Sequence, residues 1–126
     1  MSMARSVELY LKAHAVDYEL VPHPRAVTSM RTAELAHVAG LQLAKSVLLE
    51  DESGYLMAVI PATHRVDLGE LHRRLERRIG LAVEREVAEL FPDCDPGAMP
   101  AVGAAYRVAT IIDDNLLAQP DVYFEA

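Results

Sequence analysis

The sequence predicts an α+β domain, with helices packed around a mixed or curled sheet. Three observations carry this. Two apolar runs in the middle of the chain are joined by a turn-forming tetrapeptide, which reads as an antiparallel hairpin. Leu68, Leu71, Leu75 and Ile79 recur at helical spacing directly after it. The remaining strand and helix signals are interleaved rather than blocked.

From the N-terminus, a helix is expected over about Ser6 to Ala13, and Tyr18 to Val21 reads as a short strand closed by Pro22 and Pro24. Leu35, Ala36 and Val38 suggest a short helix from near Thr32, stopped by Gly40. Lys45 to Glu50 and Tyr55 to Ile60 form the hairpin around Asp51-Glu52-Ser53-Gly54, and Pro61 ends it. Asp67-Leu68-Gly69-Glu70 resembles a capping box and opens a helix that runs to Ile79, with Gly80 as its stop. A further helix covers Glu84 to Leu90 before Pro92. Pro96 to Gly103 reads as a loop, and Arg107 to Ile112 and Val122 to Phe124 as strands.

The 126 residues, 52% of them apolar, suit one domain with one core, so 1–126 is read as a single unit. There is no Trp and there are only two Phe, so aliphatic residues must do most of the packing. No apolar run approaches the roughly 20 residues that span a bilayer, and the first residues lack a signal-peptide core. A cytoplasmic protein with no membrane association is expected. One cysteine excludes an internal disulfide, and Asp93 and Asp95 beside Cys94 disfavour its thiolate. The five histidines have no metal-ligand spacing, so neither a metal nor another cofactor is expected. There is no phosphate loop, no dinucleotide signature and no nucleophile elbow.

Lys45 is the most informative residue. It shares strand parity with Leu43, Val47 and Leu49, so it starts on an inward-facing side. A lysine is rarely buried without a partner. Lys45 therefore either points into a cleft to meet an anionic or dipolar group, or ends the strand and snorkels to water. The loop Pro96 to Gly103 is the second feature. It is either a plain turn or a place where backbone N–H groups approach a ligand, because Gly97 has no Cβ to intervene. His64, just after the hairpin, lines the Lys45 cleft or is a loop residue.

The net charge of −7 is unfavourable to nucleic acid, yet six of the twelve Lys and Arg residues fall between Arg65 and Arg85. Within the expected helix, Arg74, Arg77 and Arg78 are spaced i, i+3 and i+4, with Arg73 nearby. They form either a solvated face or a contact to phosphates.

Together these stretches resemble the YbaK family of aminoacyl-tRNA deacylases, also found as the editing insertion of prolyl-tRNA synthetases. The likeness is carried by His23-Pro24 with Thr28, by Leu43-Ala44-Lys45-Ser46-Val47-Leu48-Leu49, and by Met57-Ala58-Val59-Ile60-Pro61-Ala62. It continues through Arg65-Val66-Asp67-Leu68, Leu90 to Pro100, Ile111-Ile112-Asp113-Asp114 and Val122-Tyr123-Phe124. The resemblance implies a six- or seven-stranded mixed sheet curled into a partial barrel, in a chain short at its C-terminus for the family. It implies a trans-editing hydrolase that cleaves the ester of mischarged aminoacyl-tRNA. Lys45 stands at the family's activity-linked lysine, and Gly97 and Ala98 would supply oxyanion-stabilising N–H groups. Thr28, Met30, Ile60, His64, Met99 and Pro100 are the expected substrate-binding residues. Arg73, Arg74, Arg77 and Arg78 are the expected tRNA-binding residues. The partners would be the aminoacylated acceptor end of tRNA, an aminoacyl-tRNA synthetase, and a second copy of the chain through an open sheet edge. The alternative is a non-catalytic module of the same fold that binds tRNA or a small ligand.

Overall fold

The hairpin organises the molecule. In this computed structural model, which describes residues 3–24, 26, 28–94 and 99–126, β1 (Leu43–Asp51) and β2 (Gly54–Pro61) pair antiparallel from Ala44↔Pro61 to Asp51↔Gly54. Asp51 closes the turn. One of its carboxylate oxygens accepts from the N–H of Ser53 (2.8 Å) and of Gly54 (2.9 Å). Gly54 takes φ +148°, a backbone conformation that favours glycine.

β4 (Ala109–Ile112) lies parallel beside β2, and β3 (Gly80–Leu81) pairs antiparallel with the C-terminal end of β1. β5 (Tyr123–Phe124) runs parallel along the N-terminal end of that same β1 edge. The result is an open, mixed sheet of five strands among the described residues, with helices around it. The expected strand Tyr18 to Val21 is not one. It is irregular and exposed, and no described strand pairs with it, so its β propensity has no ladder to join.

Side chains of the sheet alternate between two differently built faces. On one face Ala44, Leu48, Met57 and Val59 join Phe91, Val108 and Leu116 in the main core, beneath α4 (Glu84–Leu90). α1 (Arg5–Ala13) adds Val7 and Leu11 in a cluster packed against Tyr106 and Phe124. On the other face α3 (Leu68–Leu75) covers Leu49, Leu56 and Ala58. α2 (Ser29–Ala36) covers Leu43 and Ala62 through Ala33.

Two helices have boundaries other than those expected. α2 starts earlier because Thr28 caps it, its hydroxyl accepting from Arg31 N–H at 3.1 Å, and it closes at His37 with φ +58°. α3 opens as expected, with the Asp67 carboxylate accepting from Glu70 N–H at 3.0 Å. It stops at Leu75, not Ile79, because Glu76 turns left-handed (φ +53°) and the hairpin captures the next two residues. Arg77 pairs with Asp51 (3.1 Å), and Arg78 donates its N–H to Glu52 (2.9 Å). Gly80 then begins β3 instead of merely ending a helix. The helix Glu84 to Leu90 lies where expected, with the Glu86 carboxylate accepting from Val83 N–H at 3.1 Å.

Candidate functional site

Lys45 sits directly across from Ile60 in the hairpin register. Val59 lies beside Ile112 in the β2–β4 register, and Asp113 donates its N–H to the Val59 carbonyl at 2.9 Å, which places Asp113 beside Ile60. Alternation puts Lys45, Ile60 and Asp113 on one face in a row across three strands. Two inter-strand spacings separate its ends, about 10 Å between Cα atoms. The row falls between the cluster under α3 and the cluster under α2. It is a gap in the apolar cover of that face, and polar groups occupy both its ends.

Lys45 is half-buried, and its Nζ donates to the Ala62 carbonyl at 3.4 Å, a long contact. Burial lowers its pKa below the ordinary lysine value, and the nearby Arg65 guanidinium lowers it further. Among the described residues no carboxylate lies within ion-pair distance of Lys45 or Arg65. Two cations held close without an anion form a local site of positive potential.

At the other end, His64 Nδ1 faces Asp113 Oδ2 at 3.8 Å, with the two side chains 37% and 27% exposed. Asp113 Oδ1 is fixed separately, accepting from Asn115 N–H (2.8 Å) at the start of α5 (Asp114–Leu117). The His64 backbone is held by its N–H on the Pro61 carbonyl at 2.9 Å.

The expected site residues fall in different places. Lys45, Ile60 and His64 come together at this row. Met30 lies against Gly40, near Thr63 next to His64: a Cβ on Gly40 would lie 3.1 Å from the Met30 sulfur and 2.8 Å from a methyl of Thr63. Thr28 is spent as the cap of α2. Gly97 and Ala98 lie outside the described residues. Pro100 is fully buried, and Met99 packs on the main core, across the sheet from Lys45. Met99 also lines a cavity of about 490 Å3 with Ser46, Val87, Phe91 and Cys94. That cavity meets β1 at Ser46, Val47 and Leu48, where β1's edge runs on from β5 towards β3.

The arginines do not share one helix face, because α3 ends before Arg77 and Arg78. Arg73 and Arg74 both bind Glu70, at 2.9 and 2.7 Å, and Arg77 binds Asp51. Hydrogen bonds from Arg74 and then Arg73 hold the Glu70 carboxyl below its usual range. All four arginines remain exposed.

Sequence reasoning missed Asp113 and Arg65 as site residues. Asp113 carried a usable signal, as an acid directly after the apolar run Ala109 to Ile112. Its significance depends on β4 lying parallel to β2, which spacing does not reveal. Among the described residues no group of three or more His, Cys, Asp or Glu is placed to hold a metal ion, and no helix is long and apolar enough to cross a membrane.

Residues 23–126 match the family model of the aminoacyl-tRNA editing domain. A crystal structure of a candidate trans-editing enzyme for prolyl tRNA synthetase is similar at TM-score 0.81 and 26% identity, covering 97% of this chain and 78% of that one. The hypothetical protein APE2540 is similar at TM-score 0.79 and 24% identity, over 91% of this chain and 77% of its own. A scaffold protein used to present grafted linear epitopes gives 0.77 and 24%, over 93% and 75%. A search of curated proteins returns no match to this sequence. With the family model spanning most of the chain and the mixed sheet shared with these structures, the protein belongs to the aminoacyl-tRNA editing domain family, in agreement with its YbaK-like motifs.

Proposed function

We propose that this chain is a trans-editing hydrolase, cleaving the ester that joins a wrong amino acid to the terminal adenosine of tRNA. The observation that carries the reading is Lys45: a half-buried cation beside Arg65, with no carboxylate partner among the described residues, in the gap between α2 and α3. Its natural complement is an anion or a developing oxyanion, and an aminoacyl-tRNA end offers both.

An aminoacyl ester is already activated, so positioning and electrostatics can supply the catalysis. Lys45 anchors a phosphate of the acceptor end or polarises the carbonyl. The N–H groups of Gly97 and Ala98 receive the oxyanion. Met30, Ile60 and His64 shape the pocket beside Lys45, whose size acts as a second sieve on the amino acid. Arg73, Arg74, Arg77 and Arg78 meet the tRNA backbone, exchanging Glu70 and Asp51 for phosphate. The whole chain acts as one editing domain, with an aminoacyl-tRNA synthetase as functional partner. The structural likeness to a candidate trans-editing enzyme for prolyl tRNA synthetase makes proline tRNA the first substrate to try.

The test is a deacylation time course on proline tRNA charged with alanine, cysteine or proline, with wild type and Lys45→Ala. Hydrolysis of one mischarged species, slowed about 100-fold or more in Lys45→Ala, supports the reading. A folded wild type that hydrolyses none of them, yet binds tRNA, replaces it with the binding-module alternative.

A further inference from the structure

We propose that His64, oriented by Asp113, is the general base that activates the attacking water, an inference that rests on the hydrolase reading above. Three features of the structure point to it. His64 Nδ1 faces Asp113 Oδ2 at 3.8 Å, so closing of the pair puts the N–H on Nδ1 and leaves the Nε2 lone pair open. Among the described residues Nε2 has no hydrogen-bond partner, and the ring is 37% exposed, so water reaches it. Both members are fixed independently of each other, Asp113 by its cap on Asn115 N–H and His64 by its N–H on Pro61.

Placement supplies the rest. Asp113 and Lys45 end the same row, one strand either side of Ile60. A ribose carrying a phosphate on one oxygen and an ester on another presents two groups several bonds apart. Lys45 with Arg65 takes the anionic one, and His64 stands at the other end of the row, over the ester. The 3.8 Å separation exceeds a hydrogen bond, as is common for catalytic pairs before substrate is bound.

The reaction is a hydrolysis and needs water alone as co-reactant. His64 Nε2 takes a proton from water while the water oxygen bonds to the ester carbonyl carbon. The tetrahedral oxyanion collapses, the bond from carbon to the ribose oxygen breaks, and Nε2 returns the proton to that oxygen. The products are the free amino acid and a tRNA with its hydroxyl restored. Asp113 is a positioning residue. It stabilises the transient imidazolium and touches no substrate.

The experiment measures kcat and KM for deacylation of alanyl- and cysteinyl-tRNA of the proline type, with and without added imidazole. The proteins are wild type, Lys45→Ala, His64→Ala, His64→Gln and Asp113→Asn, each checked for folding by thermal melt. Expected is a fall in kcat of about 100-fold or more for both His64 variants at unchanged KM. Imidazole should restore His64→Ala in proportion to its concentration. Asp113→Asn retains a cap acceptor for α5 but loses the charge, so kcat should fall less far, KM should hold and imidazole should not rescue. A fully active His64→Ala beside an inactive Lys45→Ala overturns the proposal and leaves the editing reading standing. A loss in His64→Ala that imidazole does not restore also overturns it, in favour of a packing role. A wild type inert on every ester overturns both readings.

Discussion

The two faces of the sheet are made by the same strands and are built differently. Beneath α4, Ala44, Leu48, Met57 and Val59 belong to one continuous cluster closed by Phe91 and Leu116. Beneath α2 and α3 the apolar cover is split, and Lys45, Ile60 and Asp113 cross the sheet in the gap. Successive residues of β1 divide the labour: Leu48 serves the continuous face, while Lys45 and Leu49 serve the interrupted one. A continuous cluster maximises contact per side chain. An interruption sacrifices contact and gains a place where charged groups keep access to solvent. The first face should therefore dominate stability, and the second should dominate activity.

The largest effect is expected from Phe91→Ala. Phe91 is 2% exposed and stacks at a tilt on Tyr106, ring centroids 4.5 Å apart. Its loss leaves a cavity at the centre of the continuous cluster and should cost about 3–5 kcal/mol in urea unfolding. Leu71→Ala samples the interrupted face. Leu71 is only half-buried on α3, so the cost should be about 1–2 kcal/mol, below that of a fully buried leucine. Equal losses for the two variants would mean that the faces do not differ in the way described.

Legibility in the sequence divides along similar lines. The hairpin was readable because Asp51 to Gly54 is a local turn signal between two apolar runs, and the opening of α3 because Asp67 caps Glu70. Both are decided within four residues. The end of α3 was not readable. Leu68, Leu71, Leu75 and Ile79 keep helical spacing, but Asp51 and Glu52, some 26 residues away, bind Arg77 and Arg78 and pull the chain into β3. The inward start of Lys45 came from parity alone. Its neighbours did not: Asp113 reaches the row only through the parallel β2–β4 pairing, and Arg65 through the fold of the loop after Pro61. Local signals fix elements, and long-range pairings assemble the site.

A smaller effect tests how the rim of the continuous face is fastened. Asp93 Oδ2 accepts from Ser6 N–H at 2.7 Å, and Asp93 Oδ1 accepts from the Tyr106 hydroxyl at 2.8 Å, tying α1 to the loop after α4. Burial alone would raise the Asp93 pKa, but the hydrogen bonds from Ser6 and Tyr106 outweigh it and hold the carboxyl at about 2. The folded pKa lies below the ordinary value of 3.8, so the ionised group stabilises the fold above that value. This contribution is lost as pH falls through about 2. Tyr106→Phe should cost about 1 kcal/mol at pH 7. The stability difference between wild type and Asp93→Asn should shrink on acidification from about pH 4 towards pH 2. A difference that does not change over that range would remove the hydrogen-bonded carboxylate from the account.

The smallest effect on stability, and the sharpest separation of the two faces, belongs to Lys45→Met. Methionine keeps the unbranched apolar stem and removes the charge. Burial, and then Arg65, lower the Lys45 pKa, so the unfolded chain holds this proton more tightly than the folded one. The charged lysine thus costs stability throughout the range below its folded pKa, and the cost fades as pH rises from there to the unfolded value of 10.5. At pH 7 Lys45→Met should melt no lower than wild type, and any advantage it has should narrow as pH climbs toward 10.5. Deacylation should be lost at every pH. A melting temperature well below wild type would show that the long bond to the Ala62 carbonyl holds the fold together, and the gap between α2 and α3 would then be structural. An unchanged or higher melting temperature with activity gone would leave Lys45 as a charge maintained against the stability of the fold, which is the behaviour of a residue kept for its chemistry.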